Sequence, residues 1–202
     1  MKTEIRLSRG SPSSISPSSN DDAPPTPSGP VCYYLPPPLT VHSGGMCCQS
    51  TAVTIDSSLR SSYGLVLLDW YTSGWREGGG DGGWEGDVGN ETTVERVEGG
   101  KEPEMVYREC YEINGSKGEG VGAVYGNTGI GSSGVVGSVV IMGERVEDVK
   151  ARARSMYGTR PTEGSRDKRP TLPRGVNVIG VGEVEDGVVL RFVAERVEDV
   201  VR

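Results

Sequence analysis

Apolar and polar positions show little period over the first 62 residues and a clearer one after residue 104. Residues 64–71, Gly-Leu-Val-Leu-Leu-Asp-Trp-Tyr, are the first apolar run, and their length suits a buried strand. Within 105–113, Met105, Tyr107, Tyr111 and Ile113 fall on one strand face, which Glu109 interrupts. Val121–Tyr125 predicts a short strand, and the β-branched run Val135–Met142 predicts a buried one. Glu144–Met156 has a helical period. Val146, Val149, Ala153 and Met156 share a stripe, and Asp148 stands four residues before Arg152 for an ion pair. Gly158 and Pro161 close that helix. Val176–Gly182 and Val188–Val193 read as strands around a Glu185-Asp186-Gly187 turn, since Asp-Gly suits a tight hairpin. Ala194–Arg202 reads as a terminal helix with Val197, Val200 and Val201 on its apolar side.

A tetrapeptide recurs. Glu-Arg-Val-Glu begins at Glu95, Glu144 and Glu195, and the last two copies extend to Glu-Arg-Val-Glu-Asp-Val. A spacing of about fifty residues is compatible with a structural repeat. The implied unit is strand, turn, strand, helix. The pattern therefore predicts an α+β fold: a small antiparallel sheet from two such units (about 121–157 and 176–202), with the 105–113 strand joining it. The first copy continues with Gly99-Gly100, which would break its helix.

Composition sharpens the expected domain plan. The 202 residues hold 31 Gly, 13 Pro and a single Phe, with 34% hydrophobic content. Residues 1–62 are Ser- and Pro-rich and read as a disordered tail. Residues 63–104 read as a short apolar segment followed by a Gly-rich acidic linker, and 105–202 as the small domain. No run approaches the ~18–20 apolar residues of a membrane span. Met1-Lys2-Thr3-Glu4-Ile5-Arg6 leads into Ser and Pro rather than an apolar stretch. An intracellular location, cytoplasmic or nuclear, follows as an expectation, with reduced thiols at Cys32, Cys47, Cys48 and Cys110. The sequons at Asn90 and Asn114 then carry no sugar.

Several motifs bear on chemistry. Gly129-Ile130-Gly131-Ser132-Ser133-Gly134 has the spacing of a dinucleotide fingerprint, in which Gly129, Gly131 and Gly134 would let backbone N–H groups approach a pyrophosphate. That motif needs a helix directly afterwards, and Val135-Val136-Gly137 makes a poor one. Lys150–Arg174 carries eight basic and two acidic residues. Lys150, Arg152, Arg154, Arg166, Lys168 and Arg169 are its candidate nucleic-acid contacts, although the net charge of −7 opposes that role. The segment Pro24–Pro38 can adopt polyproline II and dock on a proline-recognition domain. Cys32, His42, Cys47 and Cys48 lack a familiar zinc spacing, so no metal site is expected. The only histidine is His42, which leaves acid–base or nucleophilic catalysis little to build on.

The sequence reading is thus a non-enzymatic protein-interaction module with no cofactor, an unidentified protein partner and scope for self-association. Nucleotide binding through the Gly129–Gly134 loop and nucleic-acid binding through 150–174 are its alternatives. A chain with no stable fold is the remaining one.

Overall fold

Ten strands dominate the described residues of the computed structural model, which are 1–8, 29–42, 44–73, 86–114, 134–157, 176–194 and 196–200. The strands are β1 (Lys2–Leu7), β2 (Val31–Tyr34), β3 (Leu39–Val41), β4 (Met46–Asp56), β5 (Gly64–Ser73), β6 (Asp87–Val97), β7 (Glu104–Asn114), β8 (Val135–Met142), β9 (Val176–Val184) and β10 (Gly187–Ala194). The helices are α1 (Glu147–Tyr157) and α2 (Val197–Val200), with short 3-10 turns at Ser57–Leu59 and Glu144–Val146.

The strands form two mixed sheets. Sheet A has four, in the order β1-β4-β6-β7. Sheet B has six, in the order β2-β5-β8-β10-β9, with β3 also on β5. β1, β4 and β6 run parallel, and so do β2, β3 and β5. Between these parallel neighbours the chain passes through a strand of the other sheet, so each crossover is itself a strand. β2 and β3 line one edge of β5, separated by Leu35-Pro36-Pro37-Pro38. Proline has no N–H for a ladder, so an edge is where such a segment can sit. The remaining pairs, β5–β8, β8–β10, β9–β10 and β6–β7, are antiparallel.

The inner faces of the sheets pack on each other. Leu7, Val53, Ile55, Leu65, Leu67, Val94, Val140, Met142 and Val189 form one buried cluster, and Val41, Tyr71, Val88, Ile113, Val136 and Val193 another. α1 and the preceding 3-10 turn cover Val66 and Ile141 on the outer face of sheet B through Val146 and Ala153. Trp70, Val135, Phe192 and Ala194 form a second outer cluster, against which Val197 and Val200 of α2 pack.

This architecture corrects the α+β expectation: the fold is a β-sandwich in which helices are minor. The described part of residues 1–62 is not a disordered tail, because β1, β2, β3 and β4 lie there and β4 is central in sheet A. Within 63–104 the apolar segment is β5, but the acidic stretch after it is not linker over its described part, since that holds β6. The sequence shows β4 only as a weak alternation at Val53 and Ile55 and β6 not at all, because only one face of each is buried and that face is partly polar: Gln49 and Thr51 on β4, Asn90 and Thr92 on β6. The tetrapeptide is not a structural repeat. Its first copy ends β6, its second forms the 3-10 turn into α1, and its third runs from outside the described residues into α2. Two strand–strand–helix units do not form either, because β8 pairs with β5 and β10. Val121–Tyr125 lies outside the described residues.

Other local expectations meet the structure more closely. β5, β7, β8, β9 and β10 occupy the runs where strands were predicted, and the β9–β10 turn is at Glu185-Asp186. The helix of 144–156 is present as 3-10 turn plus α1. Its ion pairs differ: Glu147 binds Lys150 at 2.6 Å and Arg154 at 3.1 Å, where a pair between Asp148 and Arg152 was expected. The terminal helix is one turn long, and Ala194 belongs to β10. Met105 is exposed because the β6–β7 register shifts between Val94 and Glu95; this bulge turns it away from the face of Tyr107.

Candidate functional site

A polar layer crosses the middle of the sandwich and separates the two inner apolar clusters. In sheet B, Asp69, Ser138 and Arg191 stand in one row across β5, β8 and β10. In sheet A, Thr51, Thr92 and Glu109 form a row across β4, β6 and β7, and Gln49, Asn90 and Tyr111 form the next. Asp69 is 2% exposed and Glu109 7% exposed. Gln49 Nε2 donates to Asp69 Oδ1 at 3.1 Å, and Thr92 Oγ1 donates to Asp69 Oδ2 at 2.9 Å. Tyr71 Oη donates to Asn90 Oδ1 at 2.7 Å and meets the Tyr111 ring edge-on. Glu109 accepts from Tyr107 Oη and from Arg191 Nε. Every one of these contacts except Tyr107–Glu109 links sheet A to sheet B or lines that contact, so polar recognition sets how the sheets face each other.

The layer is short of positive charge. Burial pushes the Asp69 carboxyl above the usual range, and the Glu109 charge adds to that, while hydrogen bonds with Thr92, Asn90 and Tyr71 oppose it. Gln49 Oε1 and Ser138 Oγ are buried without a hydrogen-bond partner among the described residues. A folded state that holds the Asp69 proton more tightly than the unfolded chain gains stability at acid pH. That gain is lost as pH rises from the unfolded pKa, about 4, through the folded one. Asp69→Asn removes the titration and keeps the shape, and the unpaired Gln49 Oε1 can turn to accept from the new amide. The expected result is a wild-type stability, relative to Asp69→Asn, that falls with pH by at most about 1.4 kcal/mol per unit. Denaturant titrations across acid and neutral pH measure it, and a constant difference would contradict the assignment.

A second feature lies at one end of the sandwich. Ser57, Arg60, Ser61, Arg96, Glu185 and Asp186 line a cavity of about 390 Å³. Three elements meet there: the turn carrying the chain from β4 to β5, the end of β6, and the β9–β10 hairpin. Arg60 has φ 49 and ψ −115, and Ser62 N donates to Leu59 O across it at 2.8 Å. That is the first central position of a type II′ turn, where glycine is the norm. Asp186 has φ 62, and these two are the positive-φ non-glycine residues among those described. Strain of this kind costs about 1–3 kcal/mol per residue and persists where the surroundings hold it. The Asp186 carbonyl accepts from Gly143 N at 3.0 Å and from Lys150 Nζ at 3.2 Å. Arg96 Nη1 binds Glu185 at 2.9 Å, with Glu104 at 3.6 Å. Burial holds the Tyr63 hydroxyl well above its ordinary pKa, reinforced by the Asp186 charge beside it.

The structure scatters the residues singled out from sequence. Gly129, Gly131, Arg166, Lys168 and Arg169 lie outside the described residues. Gly134 precedes strand β8, so the helix that a dinucleotide loop requires does not follow it. Lys150 is 3% exposed and engaged by Glu147 and the Asp186 carbonyl, and Arg154 is bound by Glu183 and Glu147. Of the three described candidates Lys150, Arg152 and Arg154, Arg152 alone has no ion pair among the described residues, and it is exposed. Of the proline segment, Gly29 to Pro38 is described, and Pro36 O accepts from Trp70 Nε1 at 2.8 Å. Cys32, Cys47, Cys48 and Cys110 are free thiols on three different strands. Among the described residues, no three His, Cys, Asp or Glu side chains come together as a metal site would need. No helix among them is long and apolar enough to cross a membrane.

Sequence reasoning passed over Asp69, Glu109 and Arg191. The signal was present: Asp69 and Arg191 are charged residues inside apolar strand runs, and Glu109 interrupts the apolar face of its strand.

Comparison with known proteins bears on all of this. The sequence model of the UreD urease accessory protein family matches residues 27–202. No curated protein matches the chain. The family match overturns the reading of an uncharacterised proline-rich interaction module, and with it nucleotide binding, nucleic-acid binding and the absence of a stable fold. Disorder, proline-rich character and an internal repeat are likewise not what defines this chain.

Proposed function

The chain belongs to the UreD urease accessory protein family, and from that premise we propose that it has a metallochaperone-like assembly role in making urease active. It acts as one member of a complex with other urease accessory proteins and turns over no substrate of its own. The family match, across 27–202, is the observation that carries this reading. The fold suits it. Two sheets joined through a hydrogen-bonded polar layer make a rigid body, and both helices pack on sheet B. The outer-face residues of sheet A, including Ser50, Ala52, Thr54, Glu91 and Thr93, stay half-exposed and offer a broad, gently polar surface for protein contact. The same reading places the chain inside the cell, where its four thiols stay reduced. Recognition through Pro24–Pro38 and a nuclear location gain no support from the family.

The test is reconstitution. Cells carrying urease subunits and the other accessory proteins should yield active, metal-loaded urease with this chain and far less without it. The chain should also co-purify with those accessory proteins. Full urease activity and full metal content in its absence would refute the assignment.

A further inference from the structure

We propose that the free edge of β2 joins the same edge of a second copy of this chain, the two β2 strands pairing antiparallel so that two copies of sheet B become one continuous sheet. This goes beyond the assembly role and does not depend on it.

The backbone is available for such pairing. β2 ends sheet B, with β5 as its only strand neighbour among the described residues. Pro30 O accepts from Gly64 N at 2.9 Å, and backbone groups alternate in direction along a strand. Cys32 and Tyr34 therefore turn their N–H and C=O groups towards β5, and Val31 and Tyr33 turn theirs to the free side. Side chains alternate too. Cys32 and Tyr34 pack on the core, whereas Val31 and Tyr33 are 37% and 60% exposed, and Leu35 continues the stripe at 59%. The remaining exposed large hydrophobics, Met1, Met46 and Met105, stand apart from one another in the chain.

The other sheet edges are guarded. Natural edges avoid pairing through charges, bulges or interrupting prolines. β1 carries Lys2, Glu4 and Arg6. β7 carries charges and a register shift, and β9 carries Glu183 and a register shift. β2 has no charge, and its pairing with β5 runs without a shift. Pro30 and Pro36 bound the segment rather than interrupt it.

Two observations choose a second copy as the occupant. The first is symmetry. Pro30-Val31-Cys32-Tyr33-Tyr34-Leu35-Pro36 reads alike by residue class from either end, with Tyr33 at its centre. Reversed onto itself, it sets Tyr33 against Tyr33 and Val31 against Leu35, outward residue on outward residue, as a two-fold contact requires. The second is charge. Each copy carries a net −7, so most faces bring like charges together. From 23 to 55 the sequence contains no Asp, Glu, Lys or Arg, so copies meet at β2 without that repulsion.

Sedimentation velocity of the full chain against concentration tests the proposal. A dimer is expected to form between about 1 and 100 μM, the range of a small interface. Tyr33→Lys and Tyr33→Glu should each be monomeric throughout, because each sets two like charges face to face at the two-fold axis. An equal mixture of the two should regain a dimer, since opposite charges then meet. Tyr33→Pro should also be monomeric while keeping its thermal midpoint, because the N–H it removes points away from β5. Met105→Lys, on the edge of the other sheet, should dimerise as wild type does. A wild-type chain monomeric at 100 μM, dimers of either charged variant alone, or a mixture no more dimeric than its components would each overturn it. So would loss of the dimer in Met105→Lys.

Discussion

Replacing Arg191 with methionine is expected to lower the unfolding free energy of this protein by about 3 kcal/mol. Arg191 projects from β10 into the sandwich and donates through Nε to Glu109 Oε1 on β7. Glu109 is buried, and its other oxygen accepts from Tyr107 Oη at 2.9 Å. Methionine fills much of the arginine stem's volume and leaves the carboxylate without its counter-charge. An uncompensated buried charge costs far more than the intact pair contributes, and this asymmetry sets the size of the effect. Arg191 keeps a side-chain exposure of 35%, so some water can reach the gap and the loss falls at the low end for such pairs. Glu109→Gln in the same chain should recover most of it, because the amide still accepts from Tyr107 without carrying charge. Denaturant unfolding of the wild type, both single variants and the double variant gives the coupling energy directly. A coupling below about 0.5 kcal/mol would mean that the two sheets do not rely on this contact.

Gly143→Ala is the second large effect, expected at about 3 kcal/mol or more. Gly143 has φ +89, a conformation costing an L-residue about 1–2 kcal/mol. A Cβ there would stand 2.1 Å from Tyr63 O and 2.7 Å from Tyr63 C, which are backbone atoms with no rotamer to yield. The alternative is to shift the turn. That would strain a set of backbone bonds: Gly143 N to Asp186 O, Glu144 N to Ser61 O, and Arg145 N to Tyr63 O, at 2.9–3.0 Å. Each is worth about 1 kcal/mol. Gly99→Ala is the matched control, because nothing lies within 4 Å of its Cβ position and its φ is not positive. That substitution should leave stability within about 1 kcal/mol of wild type. If both alanines shift the thermal midpoint equally, the close docking of residues 143–145 on 61–63 is not what holds this corner.

Much of the candidate site was written in the sequence in a form that is hard to read. Glu109 interrupts the face made by Tyr107, Tyr111 and Ile113, and Asp69 and Arg191 interrupt apolar runs in the same way. Taken singly, each looks like a defect in a strand. Only the pairing of β5 with β8 and β8 with β10 brings Asp69 and Arg191 into one row, opposite Glu109 in the other sheet. The cavity residues were less legible still. Arg60, Arg96 and Asp186 come from segments far apart in the chain, and none stands in a recognisable motif. Nothing in composition or periodicity pointed to an accessory protein of urease.

What the sequence determined by itself was local. β-branched and apolar runs specified β5, β7, β8, β9 and β10, helical spacing specified α1, and Asp-Gly specified the β9–β10 hairpin, because each depends on neighbours a few residues away. Tertiary structure decided the rest. Parallel β1, β4 and β6 pair residues more than forty positions apart, such as Lys2 with Ser50 and Ser50 with Glu91, and no local signal encodes such a partner. β4 and β6 are strands whose inner faces carry Gln49, Thr51, Asn90 and Thr92, residues that read as loop in isolation. They are stable inside because Asp69 and Tyr71 of the opposite sheet supply the partners that a buried polar group requires.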